Sequence, residues 1–254
     1  MMKISKIIKK KDNYMILLSD NRSLSFYDEV IMKYGVLKPM LIEEATLKEM
    51  IRFNECIKAY KEALKYINVR LRTKKEIRIK LKEYDKTTIE YVINRLSKNG
   101  YLNNSLYINS YVNDAINLSL KGPLKIKKEL ENLEFTSVEI ETVLEKIEDI
   151  IWIDRIKKIM GKKINANNKY SKMMLENKIK EYLYNLGYNK EMIENCFNSI
   201  EIQDDDCVIQ KEYEKSLKKL ERKYEGWELK QKIKTTLYRK GFSLSDIEKI
   251  MSKD

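Results

Sequence analysis

The chain has 254 residues, a mass of 30.4 kDa and a net charge of +12, with 51 lysines and arginines against 39 acidic residues. It contains no histidine, which excludes Ser-His-Asp and Cys-His nucleophile systems, a histidine general base and His-ligated zinc. Seven glycines and two prolines are too few for the turns of a β-sandwich or a Rossmann-type domain, whereas 35% charged and 43% hydrophobic residues suit amphipathic helices, so a mainly α fold is predicted.

At the N-terminus Lys3, Lys6, Lys9, Lys10 and Lys11 interrupt every apolar run. No later run approaches the roughly 18 apolar residues of a membrane span, so a cytoplasmic protein with no membrane partner is expected. Tyr14–Leu18, the polar turn Ser19–Ser23 and Leu24–Phe26 read as a hairpin, with Lys3–Ile8 as a third strand. Residues 27–34 read as a short helix closed by Gly35 in the left-handed region, and Pro39 as an extended link to a helix beginning near Glu43. This N-terminal extension, 1–55, either caps the helical remainder of the chain or has a binding role of its own.

From Cys56 onward the chain is periodic. Ile126 and Leu130 are followed by Ile140, Ile179 and Leu183 by Ile193, and Ile233 and Leu237 by Ile247: each time Ile, Leu four residues on, and Ile ten further. That is a helix with an i, i+4 apolar stripe, a turn beside an aromatic (Phe135, Tyr188, Phe242) and a second helix. An earlier copy, Ile77, Leu81 and Ile89, has a turn two residues shorter. Its Ile77-Arg-Ile-Lys-Leu-Lys stretch alternates like a strand, but its likeness to the later copies decides for helix. Further helical stretches at Ile57–Ile67, Leu106–Leu118, Ile150–Met160 and Val208–Tyr224 make the unit three helices. The predicted units are 56–103, 104–148, 149–203 and 204–254. Capping-box patterns at Thr73/Glu76, Thr87/Glu90, Thr136/Glu139 and Ser243/Asp246, and Pro123 at a first helical position, mark the helix starts. Units this small bury little alone, so tandem three-helix repeats stacking into an elongated, curved array are expected, a form suited to binding another polymer.

The charge is uneven. Residues 61–130 hold 16 basic and 7 acidic residues, net +9, three quarters of the total. An AT-rich coding bias also enriches lysine, but does not concentrate it, so a phosphate-binding or acidic-partner face is read here. Lys74, Arg78 and Lys82 are spaced i, i+4, i+8, with Lys75 between; Arg70 and Arg72 precede them; Lys121, Lys125, Lys127 and Lys128 surround the matching position of the next unit. The two arginines suit phosphates or neighbouring carboxylates equally well. Tyr84, Tyr91, Tyr101, Tyr107 and Tyr111 lie among these charges; stacking on bases is open to them, but filling cores and turns is the preferred reading.

Other sites fare poorly. Asp204-Asp205-Asp206 cannot converge on a metal as spaced ligands do, and reads as a solvated linker. Lys121-Gly122-Pro123 lacks the rest of a phosphate loop. Cys56, Cys196 and Cys207 show no CxxC spacing and read as reduced thiols. No catalytic residue, metal or cofactor is expected.

Arg70-Leu-Arg-Thr-Lys-Lys-Glu-Ile77 resembles the R-x-R-S/T-x-x-E-L stretch of the RecX regulators of the RecA recombinase. Gly100-Tyr-Leu-Asn103 resembles that family's G-Y-L-N/D turn, and Lys121-Gly-Pro123 the K-G-P that opens its second repeat. Order and spacing agree over essentially the whole chain, which is similar to the longer, Gram-positive type of member. Two departures stand out. Asn104 occupies a position usually acidic, and the first repeat's inter-helix turn lacks the usual Lys-Gly pair. The resemblance implies a non-enzymatic, monomeric protein that lies in the groove of the RecA filament and inhibits ATP hydrolysis and strand exchange or promotes filament loss. It would act in recombinational DNA repair and the SOS response, with affinity for single- and double-stranded DNA as a secondary property. The alternative is a stand-alone nucleic-acid-binding protein acting through its basic first two repeats.

Overall fold

The computed structural model describes residues 2–167, 169–200 and 206–252. Of the acidic run, Asp204 and Asp205 lie outside the described residues. The architecture is a small antiparallel sheet followed by thirteen helices among the described residues. Contacts divide the chain into two compact units, 1–110 with 133–135, and 111–132 with 136–254.

In the first unit, β1 (Met2–Lys9), β2 (Tyr14–Leu18), β3 (Ser23–Phe26), α1 (Asp28–Tyr34) and β4 (Leu41–Ile42) form the N-terminal part. The sheet order is β3-β2-β1-β4, every pairing antiparallel. Ile4 opposes Leu18 and Ile7 opposes Ile16, with a register shift between Ile4 and Lys6. Gly35 closes α1 at φ 65°, as expected. The two-residue strand β4 is an addition to the predicted hairpin and third strand; it is too short to carry an alternating pattern.

Helix α2 (Glu44–Ile67) is one uninterrupted helix of 24 residues, about 36 Å long. Its first half, through Leu47, Met50 and Ile57, completes the core of Ile4, Ile16, Phe26 and Val30 on the sheet. Its second half buries Ala59, Tyr60, Ala63 and Ile67 against α3 (Lys74–Lys80) and α4 (Lys86–Lys98), with Ile77, Leu81, Val92 and Leu96. One helix therefore serves two cores. Asn54 fastens the sheet to it, accepting from the Tyr27 N–H at 2.9 Å and donating to the Ser25 carbonyl at 3.1 Å. Helix α5 (Asn104–Leu118) begins in this unit and ends in the second.

In the second unit α6 (Pro123–Glu131) and α7 (Ser137–Leu144) precede α8 (Asp149–Asn165), α9 (Lys172–Asn185) and α10 (Lys190–Asn198). Then come α11 (Asp206–Leu220), α12 (Gly226–Tyr238) and α13 (Leu244–Met251). The periodic residues are the core. Ile126, Leu130, Ile140, Ile179, Leu183, Ile193, Ile233, Leu237 and Ile247 are all buried to within 1%. Each such side chain contributes about 1.5–3 kcal/mol by leaving water.

Thr73 and Thr136 form full capping boxes with Glu76 and Glu139, Ser243 accepts from the Asp246 N–H, and Pro123 opens α6 behind Gly122. The box expected at Thr87 is corrected: Asp85 caps α4, accepting from the Thr88 N–H at 3.0 Å, with Thr87 already inside the helix. Asp85, two residues upstream, offers a charged carboxylate acceptor and also takes both threonine hydroxyls, which hold its carboxyl well below the usual range.

Candidate nucleic-acid and partner interface

The three stretches that carry the family resemblance are networks of local structure. In the first, Glu76 accepts from the Thr73 N–H at 2.9 Å, from Arg70 at 2.6 Å and from Arg72 at 3.2 Å. Arg72 also donates to the Tyr66 carbonyl and lies 3.7 Å over the Tyr66 ring, leaving its side chain 10% exposed. Both arginines thus contact a carboxylate, one of the two readings open for them, and Arg70 still keeps 56% of its side chain exposed. Burial raises the Glu76 pKa, but the Thr73 N–H and the two guanidiniums outweigh it, and the group is held below the ordinary value.

In Gly100-Tyr-Leu-Asn103, Gly100 takes φ 77°, Leu102 is buried, and the Asn103 side chain caps α5 by accepting from the Leu106 N–H at 2.9 Å. In Lys121-Gly-Pro123, Lys121 donates to Glu129 at 2.6 Å, which raises its pKa, and Tyr111 donates to the same carboxylate. Gly122 is required by close approach. A Cβ there would lie 2.6 Å from the Gly187 carbonyl, while the Gly122 N–H donates to Leu186 at 2.7 Å and the Leu124 N–H to Gly187 at 3.0 Å.

That contact recurs one repeat on. The Ser171 N–H donates to the Lys240 carbonyl at 3.1 Å, and a Cβ on Gly241 would lie 2.5 Å from the Ser171 hydroxyl. The left-handed turn of one three-helix unit thus docks on the start of the middle helix of the unit before it. Arg155, from α8, adds a second tie, donating to the Ile116 and Ser119 carbonyls at the end of α5. None of this long-range docking carries a sequence pattern, and sequence reasoning missed it.

The remaining cations divide sharply. Arg78 donates to Glu90 at 3.2 Å and to Glu134 at 2.7 Å; Lys127 pairs with Glu141. Lys180 with Glu194 at 2.8 Å and Lys234 with Glu248 at 2.6 Å repeat the same inter-helix pair, so Arg78 and Lys127 occupy a structural position present in every unit. Lys82 lies beyond the end of α3, so the predicted three-residue helical face is two residues, Lys74 and Arg78, plus a turn. It is 74% exposed, 4.0 Å from Glu83. Lys74, Lys125 and Lys128 have no carboxylate within salt-bridge distance among the described residues. Lys75 stands beside Lys74 in the first turn of α3.

Four of the five tyrosines are structural. Tyr84 donates to Glu62, Tyr91 packs edge-on to Phe53, Tyr107 stacks on Phe135 and Tyr111 joins Lys121 and Glu129; Tyr101 alone of the five is exposed.

Fold and motifs together define a tandem three-helix repeat protein behind a small antiparallel sheet. Family models for the first and the third RecX three-helix domains match residues 59–96 and 204–251. A protein of Bacillus cytotoxicus named Regulatory protein RecX is 31% identical over 229 residues, 86% of this chain and 83% of that one. A Listeria welshimeri protein of the same name is 29% identical over 97% of this chain and 93% of its own length. A crystal structure of regulatory protein RecX superposes with a TM-score of 0.71 at 24% identity, covering 78% of this chain and all of that one. The structure of RecX from Lactobacillus salivarius gives 0.54 at 29% identity, over 57% of this chain and 95% of its own. The chain belongs to the RecX family.

Proposed function

We propose that this protein is a non-enzymatic regulator of the RecA recombinase that occupies the groove of the RecA–DNA filament in the cytoplasm and lowers its ATP hydrolysis and strand exchange. The observation that carries this reading is the family membership, which extends over nearly the whole chain in relatives named as regulatory proteins. The repeat fold supports it, because stacked helical units present long surfaces suited to a polymer. The test is RecA ATPase on single-stranded DNA with substoichiometric protein; a falling rate supports regulation.

Direct DNA affinity is a second, subordinate property, favoured by the net +9 of residues 61–130. Of the candidate cations there, Lys74, Lys82, Lys125 and Lys128 are the ones assigned to phosphate, since Arg70, Arg72, Arg78, Lys121 and Lys127 already hold carboxylates at 3.2 Å or less. Replacing those four lysines by glutamate should weaken DNA binding and flatten its dependence on salt, because each phosphate contact acts through counterion release. Unchanged RecA ATPase at every ratio, with DNA still bound, would favour the stand-alone nucleic-acid-binding protein instead.

A further inference from the structure

The last repeat carries 13 basic and 12 acidic residues over 201–254, a balance that hides how they are arranged. On α11 Lys211, Lys215, Lys218 and Lys219 are spaced i, i+4, i+7, i+8, so they share one face, and Arg222, in the turn after the helix, lines the same shallow groove. All five are exposed. The opposite face holds Ile209 and Tyr213 in the core of the repeat, and Val208, one turn before Lys211, is buried there too. We propose that this basic face of α11 is a binding site for the sugar–phosphate backbone of a nucleic acid.

The acidic groups nearby do not neutralise it. Glu212 is buried, its side chain 3% exposed, and is held by Lys240 from the end of α12; Lys215 reaches it only at 3.7 Å. Glu214 accepts from Gln210 at 3.3 Å on the flank of the stripe, and Glu221 lies on the same flank. Among the described residues, no carboxylate pairs with Lys211, Lys218, Lys219 or Arg222. This contrasts with the first two repeats, where most candidate cations have an acidic partner.

The geometry favours a polyanion over other partners. From Lys211 to Arg222 the stripe runs about 16 Å, the length of about five phosphates of one strand. A protein interface needs an apolar or aromatic anchor at its centre, and lysine is depleted there; this sector contains four lysines, one arginine and no apolar side chain. A membrane surface is disfavoured because the apolar face that would insert already fills the repeat's core.

The site is independent of RecA, so it can be tested on DNA alone. In the full chain, Lys211→Gln, Lys218→Gln, Lys219→Gln and Arg222→Gln are combined, leaving Lys215 because it touches Glu212. Binding of a labelled oligo-dT strand is measured by fluorescence anisotropy over a range of salt. Losing four phosphate contacts should reduce the slope of log affinity against log salt by about 3 and weaken binding at low salt by about tenfold or more. The smaller variant Lys218→Gln with Lys219→Gln should remove about 1.4 of slope, which keeps the test open if the larger one loses its fold by circular dichroism. A slope unchanged in both variants would overturn the proposal. So would an equal loss on neutralising Lys3, Lys6, Lys10 and Lys11 in β1 and the turn after it, since charge at any place would then suffice. Loss of RecA inhibition with DNA binding intact would make the face a protein contact, which also overturns it.

Discussion

Gly122 and Gly161 show how one residue type takes opposite roles. A Cβ on Gly122 would strike the Gly187 carbonyl at 2.6 Å, backbone against backbone, with no flexible side chain able to yield. Gly161 sits inside α8 with nothing within 4 Å of the same atom. Gly122→Ala is therefore expected to destabilise by about 1–3 kcal/mol, the ordinary cost of overpacking. Gly161→Ala should stabilise by about 0.5–1 kcal/mol, by removing a helix-interior glycine. Urea unfolding of the two variants reads both signs; a stable Gly122→Ala protein would mean that the turn of the third repeat does not dock on the second as described.

The start of α3 is the element where local chemistry is densest, with Glu76 closing a capping box and receiving two arginines. Glu76→Gln should cost about 1–2 kcal/mol at pH 7. The folded-state pKa lies below the unfolded one, so this contribution is complete above the unfolded value, about 4.3, and is lost as pH falls through the folded value. The gap between wild type and variant in urea unfolding should therefore close below about pH 4; a gap constant from pH 7 down would show that the ionised carboxylate is not what matters. The repeated pairs Arg78–Glu90, Lys180–Glu194 and Lys234–Glu248 are half exposed and worth roughly 0.2–1 kcal/mol each, so they set the register of helix pairs more than they stabilise them. Legibility in the sequence tracks the range of the forces at this scale. The Ile/Leu stripes were legible because burial imposes a 3.6-residue period, and Thr73, Thr136 and Pro123 because caps act within four residues. Strand β4, the Asp85 cap and the docking of Gly187 on Gly122 were not. A two-residue strand has no period, aspartate and threonine compete for one cap, and contacts 65 residues apart leave no local trace.

Over the whole molecule, net charge alone does not locate a polyanion site, because it counts cations without asking which are engaged. The segment with net +9 spends Arg70, Arg72, Arg78, Lys121 and Lys127 on carboxylates of the fold, whereas the nearly neutral last repeat leaves a one-sided stripe on α11. The proposed regulation of RecA rests instead on the family membership of the chain. The direct test is the steady-state ATPase of RecA on single-stranded DNA as the intact protein is added from far below to equal stoichiometry with RecA. A progressive fall in rate is expected, beginning well below one protein per RecA protomer, since under the proposed mechanism one molecule in the groove would span several protomers. An unchanged rate at every ratio, with the protein folded and bound to the same DNA, would contradict groove-bound regulation.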